Sequence, residues 1–391
     1  MKAQEILKLE EKSCFDFFIN EMSQRSETYG LILDNTRNKE ASSIASVGFG
    51  LSALPIGVEK GWIKKIDAKN IAEKTLKTFA RNIEHKNGFY YHFLNMHTGE
   101  RMWKSEVSII DTALFLMGAL TAGEYFGGDV YELFEEIYSR VNWPWYLNEG
   151  KNQFYMGYSD ERGFWGAWDH YAEQLIVYFL SVASPTYSVD VSVYDSFERF
   201  WGEYNGIKHI YTYVGAIFTY QFSHAWIDFR NWKDKYNVNW FENSVKASKT
   251  NWNYCKENSN VFKTFSEVSW GLSACDSPKG YKGGFGALPA REFKNDGTIP
   301  PYGAIGSIVF VPDLVFPTVM NYFNNYPQLW GKYGFKDAYN LDENWFSNIY
   351  IGIDKGISLL MIENHFSELI WKIVNQNKYI KKAFKLLNFE N

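Results

Sequence analysis

Ser105-Glu-Val-Ser-Ile-Ile-Asp111-Thr-Ala-Leu-Phe-Leu-Met-Gly-Ala-Leu-Thr-Ala122 is the stretch on which the fold turns. From Ala113 to Ala122 it is almost wholly apolar, yet this is about half of what a membrane span needs. Leu175 to Ala183 is a second run of the same kind. Both read as helices buried inside a larger body. Ser105 stands where an N-cap belongs, and Gly127-Gly128 follows as a C-terminal stop, as Gly61 does for the preceding helix.

Working outward, apolar residues recur at helical spacing over 3–23, 41–58, 66–83, 105–125, 129–141, 167–183, 191–201, 214–228, 238–256, 266–274, 303–325 and 353–373, with a last amphipathic piece at Lys378 to Leu387. Strand-like alternation is scarce, and no Pro/Gly/Ser-rich linker divides the chain. An all-α fold in one unit, residues 1–391, is the expectation. Phe49-Gly-Leu-Ser-Ala53 returns as Trp270-Gly-Leu-Ser-Ala274, each followed within ten residues by Lys-Gly-aromatic. This is either coincidence or a repeated helix-loop unit. With about twelve helices, a repeat predicts six helical hairpins closed into an (α/α)6 toroid, with the loops forming one funnel-shaped face.

Composition narrows the function. The 391 residues include 15 Trp, 27 Tyr and 31 Phe, 19% of the chain, more than a core needs, so rings remain to line a cleft. A net charge of −5 offers no basic face for nucleic acid. Cys14, Cys255 and Cys275 have neither disulfide-framework nor metal-ligand spacing. The N-terminus MKAQEILKLEEKS lacks the apolar segment of a signal peptide, so a cytoplasmic location is expected, or a periplasmic or secreted one if a leader has been removed. No dinucleotide fingerprint, P-loop, GxSxG elbow, HExxH or CxxC occurs. The histidines are scattered, and His92 and His97 are poorly spaced for zinc. No cofactor or metal is expected.

What remains is carboxylates beside aromatics at helix starts. In Trp168-Asp169-His-Tyr-Ala-Glu173 the two acids are four apart, on one face of an expected helix. Mutual repulsion and burial against Trp168 would raise one pKa and make a general acid; the alternative is a dipole-favouring Asp and a solvated Glu. Asp354 opens the helix of Gly352-Ile-Asp354-Lys-Gly, where the dipole favours the ionised form suited to a general base, or it is a plain cap; Glu363 lies half a revolution away. Asp111 interrupts an apolar run, so it lines a polar cavity or makes a satisfied core hydrogen bond. Asp34-Asn-Thr-Arg37 is a polar loop or only a turn. Phe222-Ser-His224-Ala-Trp226-Ile-Asp228-Phe-Arg230 is core or site lining, and Asp296-Gly-Thr-Ile-Pro-Pro-Tyr302 presents Tyr302 to a ligand or fixes a turn.

These motifs, in order from about 28 to 372, together with Ala41-Ser-Ser-Ile-Ala-Ser-Val-Gly48, Tyr171-Ala-Glu173-Gln and Met361-Ile-Glu363-Asn, resemble the bacterial glucoamylase-like family, which includes endo-β-1,2-glucanases of glycoside hydrolase family 144. The resemblance implies an (α/α)6 barrel and cofactor-free, inverting hydrolysis of a glucan, with β-1,2-glucan or its oligosaccharides as substrate. It makes Glu173 the general acid and Asp354 the carboxylate that activates water, with Glu106 as a rival catalytic carboxylate. Asp34, Arg37, Glu106, Asp111, Trp168, Asp169, His224, Trp270 and Tyr302 would bind sugar. The chain departs from the family pattern where Gly356 is followed by Ile357 rather than Pro. An oligo- or polysaccharide is thus the expected partner, with neither nucleic acid nor membrane. The rivals are a non-catalytic glycan-binding barrel, a hydrolase of another linkage, and a lyase, against which the carboxylate pair argues.

Overall fold

The computed structural model describes all residues, Met1–Asn391. It is helix-rich. Its helices are α1 (Ala3–Asn20), α2 (Ile44–Glu59), α3 (Lys65–Arg81), α4 (Ile109–Phe126), α5 (Asp129–Ser139), α6 (Leu175–Ala183), α7 (Phe222–Trp226), α8 (Trp240–Glu257), α9 (Pro301–Ile305), α10 (Pro312–Asn325), α11 (Gly352–Phe366), α12 (Leu369–Gln376) and α13 (Lys378–Leu386). Short strands of two to six residues form seven small antiparallel sheets in the connections.

Two classes of helix follow from the side chains. In α2, α4, α6, α7, α9 and α11 nearly every residue is buried, as their apolar composition demands. α1, α3, α5, α8 and α10 bury one face. The buried helices are neighbours in chain order: α2 packs on α4, α4 on α6, and α11 on α7, α9 and back on α2. Ser223 Oγ donates to the Glu173 carbonyl at 2.7 Å, joining α7 to the start of α6, and Gln221 Nε2 reaches Gly303 O of α9 at 2.8 Å. The amphipathic helices lie against this group, and one continuous core of 109 buried residues results. α4 is long and apolar enough to cross a membrane, but most of it is enclosed by other helices.

Two buried helices approach closely where α2 crosses α4. A Cβ on Gly48 would stand 2.4 Å from Leu114 O, and one on Gly118 would stand 2.0 Å from Gly48 O, so two glycines let the backbones touch.

Several expectations need correction. The helix expected over 266–274 is absent. Trp270–Ala274 has no regular secondary structure, with Gly271 at φ +110° pressed on Ala304, and Asn251 Oδ1 accepts the Gly271 and Leu272 N–H groups at 3.1 and 3.0 Å. Phe49–Ala53 lies inside α2, so the two pentamers are not a structural repeat. The 191–201 window is a 3-10 turn, Val191–Asp195, followed by a strand from Trp201, and 303–325 is broken between α9 and α10. The cap of α4 is Ser108, whose Oγ accepts the Asp111 N–H at 3.1 Å; Ser105 Oγ instead binds the Phe93 backbone.

Candidate active site

The N-terminal ends of α2, α4, α6 and α11 gather acids from distant parts of the chain. The hairpin of Leu33–Asn35 and Asn38–Ser43 leads into α2 and brings Asp34; its second strand pairs with Phe93–Asn95, which places His92. His92 N donates to Glu106 O at 2.9 Å, so His92 and Glu106 are held as neighbours by the main chain. Asp111 sits in the first turn of α4.

The side chains then close a cluster. His92 Nδ1 is 2.8 Å from Glu106 Oε1 and 3.7 Å from Asp111 Oδ2, and Ser108 Oγ donates to Asp111 at 2.6 Å. Burial disfavours a charged ring at His92, but Asp111, Glu106 and Asp34 overcome it and raise His92 to about 9. Glu106 is pushed up by burial but held below its usual range by that imidazolium. Asp111 and Asp34 are raised, chiefly by burial. The ligand atoms of His92, Glu106 and Asp111 lie within 4.8 Å of one another, the reach of a metal site. Here the protonated ring already serves the carboxylates as their cation.

Glu173 precedes α6 rather than riding on it. Residues 166–173 are irregular, which corrects the expected shared helical face of Asp169 and Glu173. Asp169 turns to the surface, where His170 Nδ1 pairs with it at 2.7 Å. Glu173 is half-buried, and burial lifts its carboxyl to about 7; its own backbone opposes the shift and Asp111, not Asp169, adds to it. A carboxyl that still holds its proton near neutrality can deliver it to a leaving oxygen.

Asp354 occupies the first turn of α11, as read from the sequence, but burial opposes its expected ionisation. It is 4% exposed, as is Asp337, and the two carboxyls line one small cavity close enough for each to act on the other. Burial, and then the Asp337 charge, push Asp354 far above the usual range, more than the helix dipole can offset. Asp337 is raised by burial too, and its Oδ2 accepts the Asp276 N–H at 2.6 Å. Asp276 in turn takes a bidentate pair from Arg37 at 2.7 and 3.2 Å. Tyr302, buried, donates to Ala274 O at 2.7 Å and lines the same small cavity as Asp337 and Asp354. Tyr281 is 55% exposed, and its hydroxyl is raised far above the usual range by burial and by the charges of Asp354, Asp337 and Asp34.

Two residues expected to bind sugar are core. His224 is 1% exposed among Phe229, Phe241 and Phe310, its Nε2 is 3.0 Å from Ser244 Oγ, and burial lowers its pKa to about 3. Trp270 is fully buried and donates to Thr318 Oγ1 at 2.9 Å. Trp168 is also buried, with no partner for its indole N–H. Arg230 clamps Asp228 and Glu368 and lies on the Trp371 ring, a structural role. Glu363 belongs to a separate cluster with Lys60 and Glu11.

Asp337, Asp276, Tyr281 and the charge role of His92 were not read from the sequence. Each is a single polar residue whose partners lie far along the chain. The one signal was the recurring Lys279-Gly-Tyr281, and the repeat reading absorbed it.

The family model described as "Glycoamylase: Putative glucoamylase" matches residues 166–378, more than half of the chain. The chain belongs to the glycoamylase family. Among proteins of known structure, this glycoamylase-family chain is similar to a "putative glucoamylase" of Bacteroides uniformis, with 28% identity, a TM-score of 0.92, and coverage of 100% of this chain and 98% of that one. It is similar also to the endo-β-1,2-glucanase of Chitinophaga pinensis, solved with sophorotriose and glucose, at 25% identity, TM-score 0.90, and coverage of 100% and 99%. An exo-β-1,2-glucooligosaccharide sophorohydrolase of Parabacteroides distasonis is 27% identical over 91% of this chain. The chain spans about half the length, 54%, of that curated relative.

Proposed function

We propose that this protein is an inverting glycoside hydrolase acting on β-1,2-glucan or its oligosaccharides, built as an (α/α)6 toroid whose helix N-termini form the catalytic face. The six buried helices, each followed or preceded by an amphipathic one, support the toroid. The β-1,2-glucan activities of the similar proteins support the substrate.

The observation that carries the proposal is Glu173, half-buried and held protonated to about 7 beside Asp111. In this reading Glu173 protonates the glycosidic oxygen. In the same step the Asp354–Asp337 pair, carrying one negative charge and one proton, takes a proton from a water that bonds to the anomeric carbon on the face opposite the leaving oxygen. Glu106 is less suited to that step, because a carboxylate whose pKa is depressed by His92 is a weak proton acceptor. Glu106, Asp111 and Asp34 instead surround the sugar hydroxyls.

Incubation with linear β-1,2-glucan tests this. New reducing ends are expected, with the first-formed product in the anomeric form opposite to the cleaved bond by NMR. Retention without cleavage would make the protein a binder. Glu173→Gln is expected to lower turnover on the order of 10²–10⁴-fold.

A further inference from the structure

Of the 15 tryptophans, Trp103 and Trp201 are the ones left largely exposed, and Trp103 is 58% exposed. Trp103 stands three residues before Glu106. Its ring meets Phe93 edge-on at 5.3 Å, and Phe93 stacks on His92 at 3.8 Å with an interplanar angle of 17°. His92 is the partner of Glu106. A continuous aromatic ladder therefore runs from solvent at Trp103 to the acid cluster.

The turn that presents this ring is strained and clamped. Trp103 and Lys104 both take left-handed backbone angles, φ +52° and +53°, which non-glycine residues avoid. Arg101 holds them there. Its Nε donates to Ser105 O at 2.6 Å and its guanidinium to Lys104 O at 2.7 Å. The same guanidinium grips both Glu161 oxygens at 3.0 Å and lies 4.9 Å from the Tyr91 ring centre. Glu161 belongs to the hairpin of Gly157–Ser159 and Gly163–Trp165, which pairs with Val107–Ser108 at the start of α4. A large apolar ring is thus fixed outside the core, on backbone that relaxes if released, at the edge of the acid site. Burial elsewhere would gain more stability. The arrangement fits recognition of a flat apolar surface, such as the C–H face of a pyranose.

We propose that Trp103 is a stacking platform for a glucose ring of the substrate chain, lying beyond the ring whose bond is cleaved. The inference rests on the hydrolase reading above, and its test is independent of turnover. In a Glu173→Gln background, binding of sophorose and of a longer linear β-1,2-glucooligosaccharide is measured by calorimetry, with and without Trp103→Ala. Loss of the ring is expected to weaken the longer ligand about tenfold while sophorose changes less than about twofold, and Trp103→Phe is expected to restore most of the affinity. Equal affinity of both ligands with and without Trp103 overturns the platform, as does failure of either background protein to bind any oligosaccharide. If oligosaccharides bind in this pattern but the parent protein releases no reducing ends, the hydrolase reading fails and the platform stands.

Discussion

Asp354 and Asp337 lie 17 residues apart in sequence and face each other across a cavity that leaves each of them 4% exposed. Asp337 Oδ1 and Asp354 Oδ2 are both buried with no hydrogen-bond partner. Two carboxyls so placed cannot both ionise, so one proton stays between them. The pair sets the first prediction. Activity should follow a bell in pH. The alkaline limb falls near 7 as Glu173 loses its proton, and the acid limb lies well above the ordinary carboxylate range as the pair takes up its second proton. A pH–rate profile flat from 4 to 9 would remove both groups from the reaction.

Asp337→Asn isolates the pair. The amide removes the like charge that raises Asp354, so the Asp354 pKa should fall. The acid limb of kcat against pH marks protonation of a carboxylate whose partner is already neutral, so it should stay within about one unit of the parent's, while kcat should drop about tenfold or more because a single, less basic carboxylate remains. A structural role alone would lower stability and leave kcat of the folded protein unchanged. Comparison of the profile with thermal melts separates the two.

Glu173→Gln should make the protein more stable at pH 8. The folded pKa of Glu173 is raised from 4.5 to about 7, so its proton is held more tightly in the native state. Its stabilising contribution is complete below the unfolded pKa and is lost as pH rises through about 7. The glutamine escapes that loss. The half-buried position limits the gain to about 1–3 kcal/mol at pH 8, and the difference from the parent should vanish near pH 4. Denaturant midpoints at both pH values check this, and a gain of the same size at pH 4 would be a packing effect.

The long helices were legible because their apolar spacing is local: α1, α2, α3, α5 and α8 lie within a few residues of the windows read from the sequence. Trp270–Ala274 failed because its apolar run is set by contacts with Asn251 and Ala304, which no local pattern reports. Asp34, Glu106, Asp111 and Glu173 do gather, because an acid beside apolar residues at a helix start has few other places to go. His224 misled: a histidine in an aromatic-rich segment reads alike whether it lines a cleft or, as here, sits neutral in a cage of phenylalanines. Asp337 was invisible because Gly334-Phe-Lys-Asp337 carries no spacing signal towards Asp354. The dipole argument for Asp354 was sound for an exposed first turn and lost to burial beside a second acid.

The close crossing of α2 and α4 is testable by itself. Gly48→Ala would push a methyl against Leu114 O, and both partners are backbone, so neither can turn aside. Overpacking of this kind costs about 1–3 kcal/mol. Because Asp111 starts α4 and the Asn38–Ser43 strand feeds α2, separating the two helices should also loosen the acid cluster. Urea unfolding should show the loss, and an unchanged midpoint would mean that the helices sit further apart than described.

His92 tests whether the acid cluster depends on its cation. His92→Gln keeps hydrogen-bonding capacity but leaves Glu106, Asp111 and Asp34 without a positive neighbour. The histidine pKa is raised from 6.5 to about 9, so its contribution is fully present below 6.5 and is lost as pH rises through about 9. At neutral pH the variant should therefore be about 1–3 kcal/mol less stable than the parent. The gap should close above pH 9, where the parent ring is neutral too. It should also narrow in acid, where the carboxylates protonate and no longer need a cation. Unfolding measured at pH 4, 7 and 10 reads all three arms. An equal gap at pH 10 and pH 7 would mean that His92 acts through packing on Phe93 and not through its charge.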